Sequence, residues 1–228
     1  MPSAAGRIGM LLIGLLAVTG CAPAEPPAPE AAPPGPPRPL PDPMATEPGS
    51  LEEAIAARRS VRDLVDRPLT ESQIGQLLWS AQGITGSRGR RAAPSAGATY
   101  PLEVYVASAA GVARYEVDDH ALSDHLTDDR RTALAAAAFG QEWIADAGAV
   151  IVLTGVVERT ADRYGDRAER FVLLEAGHAA QNVLLQATAL GLVGVPVGAF
   201  DDAEVSRVLA LPAGHDPVYL LPVGFPAD

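Results

Sequence analysis

The stretch Phe171–Leu190, FVLLEAGHAAQNVLLQATAL, decides how the rest of the chain is read. It has no proline, and with Arg167-Ala-Glu-Arg170 before it the pattern predicts one long helix over about 167–190. Apolar residues lie on nearly all sides of that helix, which predicts burial all round rather than a single buried stripe. In a domain of this size, such a helix is expected to be central and shared with a second subunit. Gly177 allows a close helix contact. His178, Gln181 and Asn182 interrupt the apolar surface and need hydrogen-bond partners. Helix-to-helix bonding is the plain explanation for them, and direct chemistry the sharper one.

Working outward, residues 149–157, AVIVLTGVV, form a continuous apolar run of the fully buried strand type. Residues 103–108, EVYVAS, alternate like a half-buried strand, and 112–117, VARYEV, pair with it after the turn at Gly111. Residues 193–200 and 217–223 complete the set of strands. Ser50-Leu-Glu-Glu53 is a capping box that opens a helix through about Arg58. Thr70-Glu-Ser-Gln73 opens a second helix through about Ala81, and Asp128–Phe139 reads as an alanine-rich helix. Strands and helices are interspersed rather than strictly alternating. The expected class is therefore α+β, one mixed sheet flanked by helices with a long central helix.

Composition narrows the function classes. The 228-residue chain has a formal net charge of −11, which argues against a nucleic-acid partner. All basic residues are arginine, so no lysine is present to act as a base or Schiff-base nucleophile. A single cysteine, Cys21, excludes an intrachain disulfide and CxxC metal sites. His120, His125, His178 and His215 lack ligand spacing, and no metal site is expected.

That cysteine sits at an informative place. Residues 8–19, IGMLLIGLLAVT, form an apolar run after Arg7 that is too short for an ordinary membrane span. The run ends in Val18-Thr19-Gly20-Cys21, which resembles the lipobox of bacterial lipoproteins. The resemblance implies a signal peptide over 1–20, lipidation of Cys21 and a protein held at the cell envelope on its exported side, periplasmic or extracellular. Membrane contact is then through the lipid anchor alone. An ordinary signal peptide with an incidental cysteine is the alternative. Residues 21–48 carry that cysteine and a Pro-rich linker that cannot bury a core. In extended polyproline geometry, at about 3.1 Å per residue, it would reach roughly 80 Å from the lipid. The folded domain is expected over 49–228.

Four segments of that domain carry candidate chemistry. Arg58-Arg59-Ser60-Val61-Arg62 offers three guanidiniums and a hydroxyl, a set suited to a phosphate. A solvated basic helix end is its bland reading. Ala93-Pro-Ser-Ala-Gly-Ala-Thr-Tyr-Pro-Leu-Glu-Val-Tyr-Val106 places small residues where a backbone can approach a flat ligand, just before a strand that would hold the loop rigid. Tyr164-Gly-Asp-Arg-Ala-Glu-Arg170 runs into the long helix. Gly191-Leu-Val-Gly-Val-Pro-Val-Gly-Ala-Phe-Asp201 presents backbone amides with no side chain in the way.

Taken in order, these four segments resemble the nitroreductase superfamily, and within it the SagB-type branch of azoline dehydrogenases. The resemblance covers about residues 50–224. It implies an FMN-dependent oxidoreductase built as an intertwined homodimer, with two flavins at the interface and a small organic substrate. By match, Arg58, Arg59, Ser60 and Arg62 would hold the phosphate and ribityl chain. Pro94, Ser95, Ala96 and Gly97 would border the ring, and Gly198 and Ala199 would offer amides near N5. The loop reads Gly97-Ala98-Thr99 where many members carry asparagine, and the end Val223-Gly224-Phe225-Pro226 lacks the basic residue often found there. The azoline oxidases also use a lysine–tyrosine pair. Here only Tyr100 is left as a candidate proton donor. A nitro or quinone reductase fed by NAD(P)H, and a non-catalytic module on a flavin-binding fold, are the alternatives.

Overall fold

The computed structural model describes residues 49–227. The stretches read from sequence as a signal peptide, a lipobox with Cys21 and a Pro-rich linker lie outside the described residues.

Ser50 caps α1 (Leu51–Ala57) by accepting the Glu53 N–H at 3.1 Å. The carboxylate of Glu53 accepts from Gly49 N–H rather than from the cap residue, so the expected box closes one residue early. The box at Thr70 is complete, with both reciprocal bonds, and opens α2 (Glu71–Gln82) after the short β1 (Leu64–Val65). A small hairpin, β2 (Ile84–Gly86) and β3 (Arg90–Arg91), follows. Then come β4 (Leu102–Ser108), β5 (Gly111–Glu116), β6 (Ala121–Leu126), α3 (Arg131–Ala137) and β7 (Ala149–Gly155). The chain ends with α4 (Glu158–Tyr164), α5 (Ala168–Ala189), β8 (Val193–Gly194), α6 (Asp202–Val208) and β9 (Asp216–Pro226).

The main sheet runs β1-β9-β7-β4-β5-β6, with β8 also pairing with β9. Every named strand pair is antiparallel, and the parallel component is the single bridge between Ser60 and Gly194. Helices cover both faces. Val104, Val106, Ile151 and Leu153 join α2 and α5 in one core. Tyr105, Ala107, Val150 and Val152 face the other core with Leu134 of α3 and Val205 of α6. The strand period of two therefore sends β4 and β7 side chains into two apolar layers. Each such fully buried side chain contributes about 1.5–3 kcal/mol. Residues 103–108 are thus not half-buried as their alternation implied, because the polar position Glu103 is itself buried in an ion-pair cluster with Arg114 and Arg159.

Other boundaries also differ from expectation. The helix read over Asp128–Phe139 is only α3, because Arg130 is not helical and Phe139 turns to a φ of 58°. The strand read over 193–200 shrinks to β8, with Pro196 interrupting it before Val197 bridges to Leu220. The long helix is present nearly as read, but it is not buried all round. Leu173 and Leu174 are about half exposed, and Gly177, His178 and Gln181 continue the same open face. Residues three and four apart share one helix face, so a single uncovered stripe results.

Candidate functional site

The residues singled out by sequence fall into two groups. The first group lies along the edge of β9. Ser60 bridges Gly194, and Val61 N–H donates to the Gly194 carbonyl at 3.3 Å. This places the arginine cluster just past the end of α1, with Arg58 as its C-cap. Arg59 folds back and donates to the carbonyls of Ala56 and Arg58 at 2.8 and 2.7 Å. It thereby satisfies helix-end acceptors that have no partner of their own within the helix. The guanidinium of Arg62 lies 5.7 Å from the ring centroid of Trp143. Among the described residues, neither Arg58 nor Arg62 has a carboxylate partner.

Further along the same edge, the chain reaches Gly198 and Ala199. Both are exposed, and their N–H groups donate to no backbone acceptor among the described residues. The Ala199 carbonyl accepts from Gln141 Nε2 at 3.1 Å. Sequence reasoning missed the turn Ala138–Trp143, which forms the adjoining wall. It touches Arg62 through Trp143 and Ala199 through Gln141, and Asp201 N–H donates to the Ala137 carbonyl just before it. Phe139 at its tip is 71% exposed. The dipeptide Phe139-Gly140 was the available signal, since a glycine past a helix end marks a stop.

The second group is the loop Pro94–Tyr100, which precedes β4. Gly97 takes a φ of 62°, which favours glycine, and a Cβ there would sit 2.9 Å from Arg163 and Tyr164 side-chain atoms, so those side chains would have to shift. Arg163 donates to the Gly97 carbonyl at 3.2 Å, and Arg159 to that of Tyr100 at 3.2 Å. Thr99 shares a hydrogen bond with Thr160 at 2.9 Å. Helix α4 therefore clamps the loop from one side. Tyr100 lies beneath the Arg91 guanidinium, 4.5 Å from it.

The register of the sheet separates the two groups. Gly194 pairs with Val223 at one end of β9, whereas Leu102, just after the loop, pairs with Gly155, which pairs with Asp216 at the other end. At about 3.3 Å per residue, Gly194 and Leu102 stand roughly 20 Å apart along the strands. Arg58, Ser60 and Arg62 stand together beside Gly194, whereas Gly198 lies against Tyr219, four positions along β9, and is linked toward them only through the turn that carries Gln141 and Trp143. Among the described residues, no hydrogen bond or ion pair joins Pro94, Ser95, Ala96 or Gly97 to either set. Helix α5 spans the same distance. Val172 abuts Gly155, and Leu184 abuts Gly194. The open stripe at Gly177 and His178 falls midway between those two contacts, and nothing lies within 4 Å of a Cβ built on Gly177.

The polar residues of α5 divide in the same way. Asn182 donates to the carbonyls of Ser80 and Ala92 at 3.2 and 3.4 Å, and Gln186 accepts from Gln76 at 3.0 Å. His178 and Gln181 face outward. Burial pushes the Glu175 carboxyl up from its ordinary value, while the nearby Ser95 hydroxyl, the bond from Gln82 and the charge of Arg91 pull the other way. Burial likewise lowers Arg91, against the raising influence of Glu175 and Glu103.

Comparison with known proteins gives these groups a context. The model of the nitroreductase family matches residues 55–225. A protein of Methanocaldococcus jannaschii that carries the nitroreductase name is 43% identical over 180 residues, which are 76% of this chain and 90% of the relative. A crystal structure of a Ralstonia eutropha protein with the same family name is 28% identical, with a TM-score of 0.73, over 83% of this chain and 89% of that one. The NADPH:FMN oxidoreductase of Vibrio harveyi, solved with NAD+, shares the fold at 23% identity and a TM-score of 0.56, over 78% of this chain and 69% of that one.

Proposed function

This chain belongs to the nitroreductase family, and from that premise we propose that it is an FMN-dependent oxidoreductase whose two cofactor sites are each completed across a homodimer. One observation carries the reading. Among the described residues, no hydrogen bond or ion pair joins the Pro94–Gly97 loop to the arginine cluster or to Gly198–Ala199, and the open face of α5 lies between Val172, which abuts Gly155, and Leu184, which abuts Gly194. A twofold axis through Gly177 and His178 would bring the Pro94–Gly97 loop of one copy to the arginine cluster and the Gly198–Ala199 amides of the other. It would also cover Leu173 and Leu174, which a single copy leaves in water.

The residues present fit FMN. Arg58 and Arg62 are cations without a protein counter-ion among the described residues, beside the Ser60 hydroxyl, and they would bind the phosphate. Gly198 and Ala199 offer N–H groups that have no backbone acceptor among the described residues, and they would face the polar edge of the ring. FMN held there supplies two-electron redox chemistry, while the protein supplies position and charge. Phe139 and the Gln141 amide would then border the substrate, a small organic molecule stacked on the ring. The SagB-type branch and envelope tethering through Cys21 complete the reading and rest on the sequence motifs. The purified chain should be a yellow dimer that bleaches with dithionite. A colourless monomer after incubation with FMN would overturn the proposal.

A further inference from the structure

Four residues in and just before α4 meet the Pro94–Tyr100 loop and its exit in reverse order. Val156 N–H donates to the Pro101 carbonyl at 2.8 Å and Arg159 to the Tyr100 carbonyl at 3.2 Å. Thr160 shares a hydrogen bond with Thr99 at 2.9 Å, and Arg163 donates to the Gly97 carbonyl at 3.2 Å. Arg159, Thr160 and Arg163 are spaced to share one helix face, so that face grips the loop residue by residue. The loop is strained: Ala98 has a φ of 54° and Tyr100 a φ of 46°. Residues with side chains adopt such backbone angles only where surrounding contacts over-determine them.

This grip has a buried anchor. Glu103, 8% exposed, is the only charged residue of β4 and stands three positions after Tyr100. Its two carboxylate oxygens are divided between two arginines. Oε1 accepts from Arg159, and Oε2 accepts from Nε and Nη2 of Arg114, both at 3.0 Å. Arg159 in turn places one Nη on Glu103 and the other on the Tyr100 carbonyl. A guanidinium is a planar fork with fixed donor directions, so the carboxylate that holds one end also aims the other. Replacing a buried ion pair by apolar residues is often neutral or stabilising, so stability alone does not account for a carboxylate at this place in the sheet.

We propose that Glu103 is the positioning residue of the Pro94–Tyr100 loop and acts through Arg159: the carboxylate fixes one end of the guanidinium, and the other end holds the Tyr100 carbonyl and with it the strained backbone that faces the flavin. That the loop faces a flavin rests on the function proposed above, but the positioning itself does not. The N–H groups of Thr99 and Tyr100 donate inside the loop, to the Ala96 carbonyl and to Ser95 Oγ, so their exchange with solvent reads its opening.

The test is amide hydrogen exchange on the full chain without added FMN. Arg159→Met keeps an aliphatic stem and loses both contacts. Exchange at Thr99 and Tyr100 should rise about tenfold, the low end for a hydrogen bond to a charged group because the Arg159 side chain is 40% exposed, while strand β7 stays unchanged. Glu103→Met should raise exchange at the same two amides, by no more than Arg159→Met does, and the double variant should be no faster than Arg159→Met alone. Arg114→Met is the control. It removes the other ion pair of Glu103, and Arg114 has no hydrogen bond to the loop among the described residues. A merely structural role for the ion pairs predicts that Arg114→Met frees the loop as much as Arg159→Met; the positioning role predicts no rise. Unchanged exchange in Glu103→Met, an equal rise in β7, a rise in Arg114→Met as large as that in Arg159→Met, or effects of Glu103→Met and Arg159→Met that multiply would each overturn the inference. An FMN titration of the same samples separates the two ideas. If the parent chain fails to bind FMN, the proposed function falls, while the exchange pattern still decides the role of Glu103.

Discussion

The three arginines of the Arg58–Arg62 segment look equivalent in sequence, and the structure predicts that they are not. Arg59 has its donors on the carbonyls of Ala56 and Arg58, so it serves the end of α1. Arg58 and Arg62 have no carboxylate partner among the described residues and remain available to a phosphate. The chain carries a net charge of −11, so its long-range field opposes FMN and local cations must overcome it. A hydrogen bond to a charged group is worth about 1.5–3 kcal/mol. Arg58→Ala and Arg62→Ala should each weaken FMN binding about ten- to hundredfold, at 1.4 kcal/mol per tenfold. Stacking on Trp143 pre-positions Arg62 and is worth about 0.5–1 kcal/mol at an exposed site, so Trp143→Leu should weaken FMN by up to about fivefold. Arg59→Ala should leave FMN affinity nearly unchanged and lower thermal stability instead. Riboflavin, which lacks the phosphate, should bind all four variants almost alike. The assay is fluorescence titration of FMN and riboflavin against each variant. Equal losses for the two ligands, or an Arg59→Ala loss as large as that of Arg62→Ala, would refute the reasoning.

Three further predictions test other parts of the molecule. Gly97→Ala combines a left-handed φ with atoms 2.9 Å from the new Cβ, and should cost about 1–3 kcal/mol, read as a lower urea midpoint. Arg131 is nearly buried and bonds Asp129, Asp66 and the Ala147 carbonyl; Arg131→Met should cost about 1–3 kcal/mol in the same assay, since the carboxylates left behind are solvated. The bond from Arg131 lowers the folded-state pKa of Asp129, so this contribution is full above the ordinary carboxylate value of 3.8 and fades as pH falls through the lowered folded value. The acid limb of the stability curve, as pH falls from 3.8 through the lowered folded value, should accordingly be shallower in Arg131→Met. Cys21→Ser should release the protein from membranes, and unchanged sedimentation with them would refute lipidation.

What the sequence made legible follows its periodicities. The apolar run 149–155 and the helix 168–189 stand within about two residues of where the pattern put them, because each is long and one residue class dominates. The Ser50 and Thr70 caps were legible because their bonds are local. Glu103 hid the double burial of β4, since a polar residue at an alternate position reads as a solvent face whatever ions it meets. Short pieces such as β1 and β8 carry too few residues to show a period, and they exist through pairing with β9. The open stripe of α5 was invisible for a similar reason. A leucine facing a second copy and one facing the core have the same chemistry. The site residues were legible as motifs, but their division into two groups was not, because it is fixed by sheet register between segments distant in sequence. Of the wall at Ala138–Trp143, the first two residues were taken into an overlong helix and the rest carried no pattern of its own. The contacts Glu175–Gln82–Arg91–Tyr100 join α5, α2, β3 and the loop, and no local pattern encodes such a chain.

The central claim is that each site takes its arginines from one copy and its loop from the other. It is tested most directly by co-expressing two differently tagged variants, Arg58→Ala/Arg62→Ala and Gly97→Arg, and measuring FMN in the purified heterodimer. In the proposed arrangement one site of the heterodimer inherits both defects and the other inherits none, so the mixed dimer should bind FMN that neither variant binds alone. A heterodimer as empty as its two parents would contradict the account.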